Sequence, residues 1–138
     1  MSMNIETYPE LDFLRVNAMG TFSLEESMRT FLEMLEAVAR HKVEKVLFDG
    51  RGLTGELEVM ERFYYGEFVA QAVMRFAARS ASPAPRFAYV LKEPVLDPRR
   101  FGETVATNRG MNVKAFDNLE DALEWLEMAP ANKLDAGG

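Results

Sequence analysis

The chain has 138 residues, 48% of them apolar, which suits one domain with a full core and excludes intrinsic disorder. Its 16 Lys and Arg stand against 22 Asp and Glu, and the net charge of −6 argues against binding to nucleic acid or to an anionic lipid surface. There is no cysteine, which excludes disulfides, thiolate metal sites and cysteine nucleophiles, and no apolar run approaches the roughly 20 residues of a membrane span.

The start, MSMNIETYPE, lacks the basic and apolar segments of a secretory signal, so a cytoplasmic location is expected. Asn4–Tyr8 and Phe13–Ala18 read as two strands joined by a turn at Pro9, Glu10 and Asp12, a hairpin that Gly20 ends. Ser23 and Glu26 have the S-x-x-E spacing of a capping box. Leu24, Met28, Phe31, Leu32, Leu35, Val38 and Ala39 follow at steps of three and four, one apolar helical stripe. Arg40, His41 and Lys42 close that helix with positive charge at its negative pole.

Val46, Leu47 and Phe48 form a short apolar run bounded by Lys45 and Asp49, the mark of a central buried strand. A long helix is predicted from about Leu57 to Arg79, broken by the prolines Pro83 and Pro85. Phe87–Leu91 is the next strand. Asp97 as N-cap and Pro98 in the first turn start a third helix, with Gly110 as its C-cap. Val113–Phe116 is the last strand. Asn118 or Asp117 caps a final helix carrying Leu119, Ala122, Leu123 and Leu126, with Trp125 packed at the sheet rim. Residues 4–128 thus make the domain, and 129–138 read as a flexible tail.

The order is β-β-α-β-α-β-α-β-α. Alternating strands and helices imply a five-stranded, mostly parallel sheet with helices on both faces, made mixed by the first hairpin. In this order, FLRVNAMGTFSLEE, KVLFDGRGLTG and ALEWL resemble the STAS-like (anti-sigma-factor antagonist-like) superfamily, in its SpoIIAA-like branch, over about Asn4 to Glu127. The resemblance implies this α/β fold and a regulatory, protein-interaction role without catalysis. Domains of this kind are also compared with the lipid-binding CRAL-TRIO fold. In regulatory STAS domains a serine after the central strand, at the start of the next helix, is phosphorylated by a partner kinase. Here that stretch reads GRGLTGELEVMERF, with Thr54 as its only hydroxyl and no serine, so no phosphorylation switch is expected between Asp49 and Gly55.

Three sets of residues invite a functional reading. The first is the loop expected after the central strand, Asp49, Gly50, Arg51 and Gly52. Ligands of α/β sheets lie beyond the carboxyl ends of the strands, where Lys92, Arg99 and Arg100 also fall. The two loops and the helix start at Pro98 could meet around an anion, with the glycines allowing close backbone approach. Equally, Asp49 could close the turn with Arg51 paired to it or to Glu56. The second set lies on the long helix. Phe63, Tyr64, Tyr65, Phe68, Val69, Ala72, Val73 and Phe76 cover more of its circumference than one sheet face needs. The surplus faces either a second copy, an apolar ligand or a neighbouring helix. The third set is His41, the single histidine, and the acidic pairs Glu25–Glu26 and Glu120–Asp121, which read as helix-end residues. No cofactor or metal is expected. The leading reading is a homodimeric, non-enzymatic protein-interaction domain. The alternative is a carrier for a small anionic or lipid-like ligand.

Overall fold

The computed structural model describes residues 2–80 and 84–127. Both Pro83 and the expected tail lie outside the described residues, while Pro85 lies just ahead of a strand. Chain order begins with β1 (Met3–Pro9) and β2 (Leu14–Thr21), an antiparallel pair. Then come α1 (Leu24–His41), β3 (Lys45–Thr54), α2 (Val59–Ser80), β4 (Arg86–Val90), α3 (Phe101–Asn108), β5 (Val113–Phe116) and α4 (Leu119–Trp125). The sheet runs β1-β2-β3-β4-β5, with every pair after the first parallel. Val46–Phe48 therefore sits in the middle strand, as its apolar run predicts.

Period-two alternation divides the core in two. Leu14, Val16, Val46, Phe48, Phe87, Tyr89 and Val113 face one side, where they meet Phe31, Met34 and Val38 of α1, Val69 and Val73 of α2, and Ala106 of α3. Leu47, Ala88 and Val90 face the other, under Ala122 and Leu123 of α4 and the following Leu126. Three helices thus cover one face and α4 alone the other, where it packs on β4 and β5. Beyond α4 the second face carries polar residues in register: Tyr8 beside Arg15, and Glu6 beside Asn17 beside Asp49.

Local chemistry sets the helix ends. The Ser23 hydroxyl accepts from the Glu26 N–H, and Asn118 does the same for Asp121 at α4. The capping box is only half made. Glu26 accepts from the Met3 N–H of β1 at 3.1 Å, and from Arg29, so its carboxylate ties helix to sheet instead of reaching back to Ser23. α3 begins later than predicted. Asp97 accepts from the N–H groups of Arg99 and Phe101, which caps a turn ahead of the helix, and Arg100 then takes a left-handed φ of 55° before Phe101.

The largest departure from the sequence reading is at β3. The stretch expected as a loop is strand through Thr54, because β2 runs alongside it as far as Thr21 and supplies ladder partners. The register shifts once: Asn17 pairs with Asp49 and Met19 with Gly52, so Gly50 and Arg51 together oppose Ala18 in a β-bulge.

Candidate functional site

On the three-helix face a cavity of about 90 Å³ lies between the sheet, α2 and α3. Phe48, Tyr89, Leu91, Val113 and Ala115 form its floor, Tyr65, Gly66 and Val69 one wall, and Val95, Leu96, Gly102 and Ala106 the other. It stands at the carboxyl end of the parallel strands, where this class of sheet places ligands. The wall helices approach closely because α2 carries Gly66 at the crossing. A Cβ there would lie 2.7 Å from the Gly102 carbonyl oxygen.

Two tyrosine hydroxyls meet in this apolar setting. Tyr65 Oη and Tyr89 Oη are 3.1 Å apart, and the Tyr89 ring stacks at 4.6 Å on Phe48. Burial pushes both phenols up, Tyr65 to about 12 and Tyr89 well above its ordinary value, so both stay protonated at neutral pH. Four charged side chains, Arg62, Asp97, Arg100 and Glu103, ring the cavity. Arg62, only 11% exposed, donates to the carbonyls of Leu57, Pro94 and Val95, and so fastens α2 to the segment after β4. Arg100 donates to the Asp97 carbonyl, and Glu103 accepts from the Ala115 N–H at 3.1 Å. Burial opposes the charge on Asp97, but the N–H groups of Phe101 and Arg99 prevail and hold its pKa below the usual carboxylate value.

The residues singled out from the β3 stretch lie elsewhere. Asp49 accepts from the backbone N–H of Arg51 at 3.2 Å and from its guanidinium at 2.9 and 2.7 Å. The Arg51 guanidinium holds the Asp49 carboxyl below its ordinary pKa, against the effect of burial. Asp49 alternates with Phe48 to the opposite face of the sheet and Arg51 pairs with it, so neither lines the cavity. The two glycines serve packing. A Cβ on Gly50 would meet Leu91, Phe48 and Leu53 side chains within 3.0 Å, and one on Gly52 would stand 3.3 Å from the Ala18 carbonyl of β2. Lys92 and Arg99 are exposed, and of the four cations expected to converge only Arg100 lines the cavity.

The apolar set of α2 divides three ways. Val69 and Val73 are buried against the sheet, and Tyr65 turns its hydroxyl to Tyr89. Phe68, Ala72 and Phe76 are partly buried against α1, where they line an open groove with Leu32, Leu35, Glu36 and Arg75. Phe63 lies under Arg109 of the α3 end, edge to Tyr64, which is 50% exposed. His41 is exposed at the end of α1. Residue-by-residue reading passed over Tyr89 and Arg62. A signal for Tyr89 existed: a tyrosine inside the buried run FAYVL must find its hydroxyl a partner.

No protein-family model matches the sequence, and no curated protein matches it. Solved structures do. An anti-sigma factor antagonist from Mycobacterium paratuberculosis superposes with a TM-score of 0.53 at 13% identity, over 91% of this chain and 95% of that one. The anti-sigma factor antagonist SpoIIAA in its unphosphorylated form gives 0.55 at 9% identity, over 91% of this chain and 99% of that one. With the matching element order and sheet, the chain has the STAS-like fold of SpoIIAA.

Proposed function

We propose that this chain is a regulatory domain that acts by binding another protein and performs no reaction of its own. The observation that carries this reading is the fold, shared over nearly the whole chain with two structures named as anti-sigma factor antagonists. The α1–α2 groove suits a protein contact. Leu32, Phe68, Ala72 and Phe76 supply apolar area, flanked by Glu36 and by Arg75 and Arg79. Those opposite charges also permit a twofold pairing in which Glu36 of each copy meets an arginine of the other, which is how a homodimer would form. The test is affinity capture with purified wild-type protein and with L32D as baits in extract from the source cells. A protein partner held by the first and lost by the second supports the reading. Identical captures would remove the groove from it, and no partner at any concentration would remove the reading itself.

The apolar cavity favours a second reading, that the domain binds a small molecule. Soaking the protein with xenon and locating the gas by diffraction or xenon NMR tests whether that space is open to a guest.

A further inference from the structure

The cavity holds a donor that the protein does not use. Tyr65 and Tyr89 each have one hydroxyl proton, and a single bond of 3.1 Å joins them. Whichever phenol donates, the proton of the other has no acceptor among the described residues. Buried donors are almost always paired with protein, water or ligand, because leaving one unpaired forfeits its hydration. Both rings line the cavity, Tyr89 7% exposed at its floor and Tyr65 partly buried on its wall.

Each charged group at the mouth has a partner within the protein. Arg62 donates to three carbonyls, Arg100 donates to the Asp97 carbonyl and stands 3.9 Å from the Glu103 carboxylate, Asp97 accepts from two N–H groups and Glu103 from the Ala115 N–H. Two cations and two carboxylates leave the rim without net charge, so neither an anion nor a cation is selected. Phe48, Val69, Leu91, Val95 and Val113 make the rest apolar. We propose that this cavity binds a small uncharged molecule with an apolar body and one hydrogen-bond acceptor, such as a short ketone or aldehyde, whose oxygen takes the spare proton of the tyrosine pair. The proposal rests on the small-molecule reading above and gives it a chemistry. Size bounds the guest: a sealed cavity of about 150 Å³ accepts benzene, and this one, near 90 Å³ and open at its charged mouth, suits a body of about five heavy atoms.

Butanone and isopentane, which share a shape but differ in the acceptor oxygen, are the probes. Each is titrated into methyl-labelled protein while the Leu91, Leu96 and Val113 methyl signals are followed. The wild type should bind both. The Y65F/Y89F double variant should bind butanone about three- to tenfold more weakly, the value of one hydrogen bond, and isopentane no worse. Each single variant keeps one phenol proton and should hold butanone within about twofold. In the wild type, the carbonyl stretch of bound butanone should fall below its value in a hydrocarbon solvent, a readout that does not depend on any variant folding. Binding of both probes with an unshifted carbonyl and no loss in the double variant overturns the acceptor proposal while leaving a small-molecule cavity. Failure of both probes to move the methyl signals overturns the cavity reading as well.

Discussion

Replacing Gly66 by alanine sets two known effects against each other. Gly66 lies inside α2, where alanine is favoured over glycine by about 0.8–1.0 kcal/mol. The new methyl group, however, would stand 2.7 Å from the Gly102 carbonyl oxygen and 3.1 Å from Val105 Cβ. Ordinary carbon contacts are about 3.5–4.0 Å, so α3 must back away by several tenths of an ångström. Backbone cannot rotate aside as a side chain can, and overpacking of this kind costs about 1–3 kcal/mol. The clash wins, for a net loss of about 1 kcal/mol. With a urea slope of about 1–3 kcal/mol per molar, the unfolding midpoint should fall by roughly half a molar. Gly102→Ala is the control from the other side of the same crossing. Its methyl would meet nothing nearer than the Arg62 carbonyl at 3.4 Å, so stability should hold or rise slightly. Equilibrium urea unfolding followed by circular dichroism measures both. A Gly66→Ala protein as stable as the wild type, or a Gly102→Ala protein that falls equally, would refute the close crossing and with it the shape of the cavity wall.

Other consequences follow from the charges and the groove. Because Arg51 depresses the Asp49 pKa, the pair stabilises the fold above the unfolded carboxylate value of about 3.9, and that contribution is lost as pH falls through the lower folded value. Urea midpoints of wild type and Asp49→Asn should therefore converge as acid is added, and a gap that stays constant down to low pH would disprove the link. The buried tyrosines act at the other end. With folded values raised above about 10, their stabilisation is complete below that pH and drains away as pH rises toward the folded values, about 12 for Tyr65. Tyrosinate absorbance should show two of the four tyrosines ionising only as the fold is lost, an expectation that fails if all four titrate before circular dichroism changes. For self-association, Leu32→Asp alters a side chain 47% exposed on the groove, so it should leave folding intact yet abolish a dimer. Sedimentation showing wild type already monomeric at tens of micromolar, where about 8 kcal/mol of association would register, would end the dimer proposal.

How much of this was legible in the sequence depends on whether one residue or two segments decide the matter. Val46, Leu47 and Phe48 announce a strand by themselves, and Ser23 and Asn118 announce helix starts, because the caps act across three residues. The continuation of β3 is not local. Gly50 and Gly52 disfavour strand on their own, and only the ladder from β2 overrides them. Once the stretch is strand, Asp49 alternates with Phe48 to the opposite face, and Arg51, in the bulge, stays beside it through the ion pair. The sequence reading of an anion site required a loop there, and a loop was the one thing β2 prevented. Glu26 repeats the lesson on a smaller scale. Its spacing from Ser23 is that of a capping box, yet its carboxylate goes to Met3, which is 23 residues away.

The long helix α2 extends this argument to function. Counting apolar residues correctly indicates that more than the sheet must cover it, but the count does not say what. Here α1 and α3 flank it on either side, so Val69 and Val73 belong to the interior and Tyr65 lies partly buried over the cavity, while Phe68, Ala72 and Phe76 line a groove that is only partly closed. The distinction changes which substitutions inform about a partner. Aspartate at Tyr65 would place a carboxylate beside Tyr89 and Phe22, at a cost of several kcal/mol to the fold, and its failure to self-associate would say nothing about an interface. Aspartate at Leu32 tests the surface without entering the core. The same helix therefore serves both readings with different faces: its sheet-facing side closes the tyrosine-lined cavity, and its α1-facing side opens the groove to a protein. Because α2 is fixed to the segment after β4 by Arg62 and crosses α3 at Gly66, a guest that displaced the cavity wall would act on the helix that carries the groove.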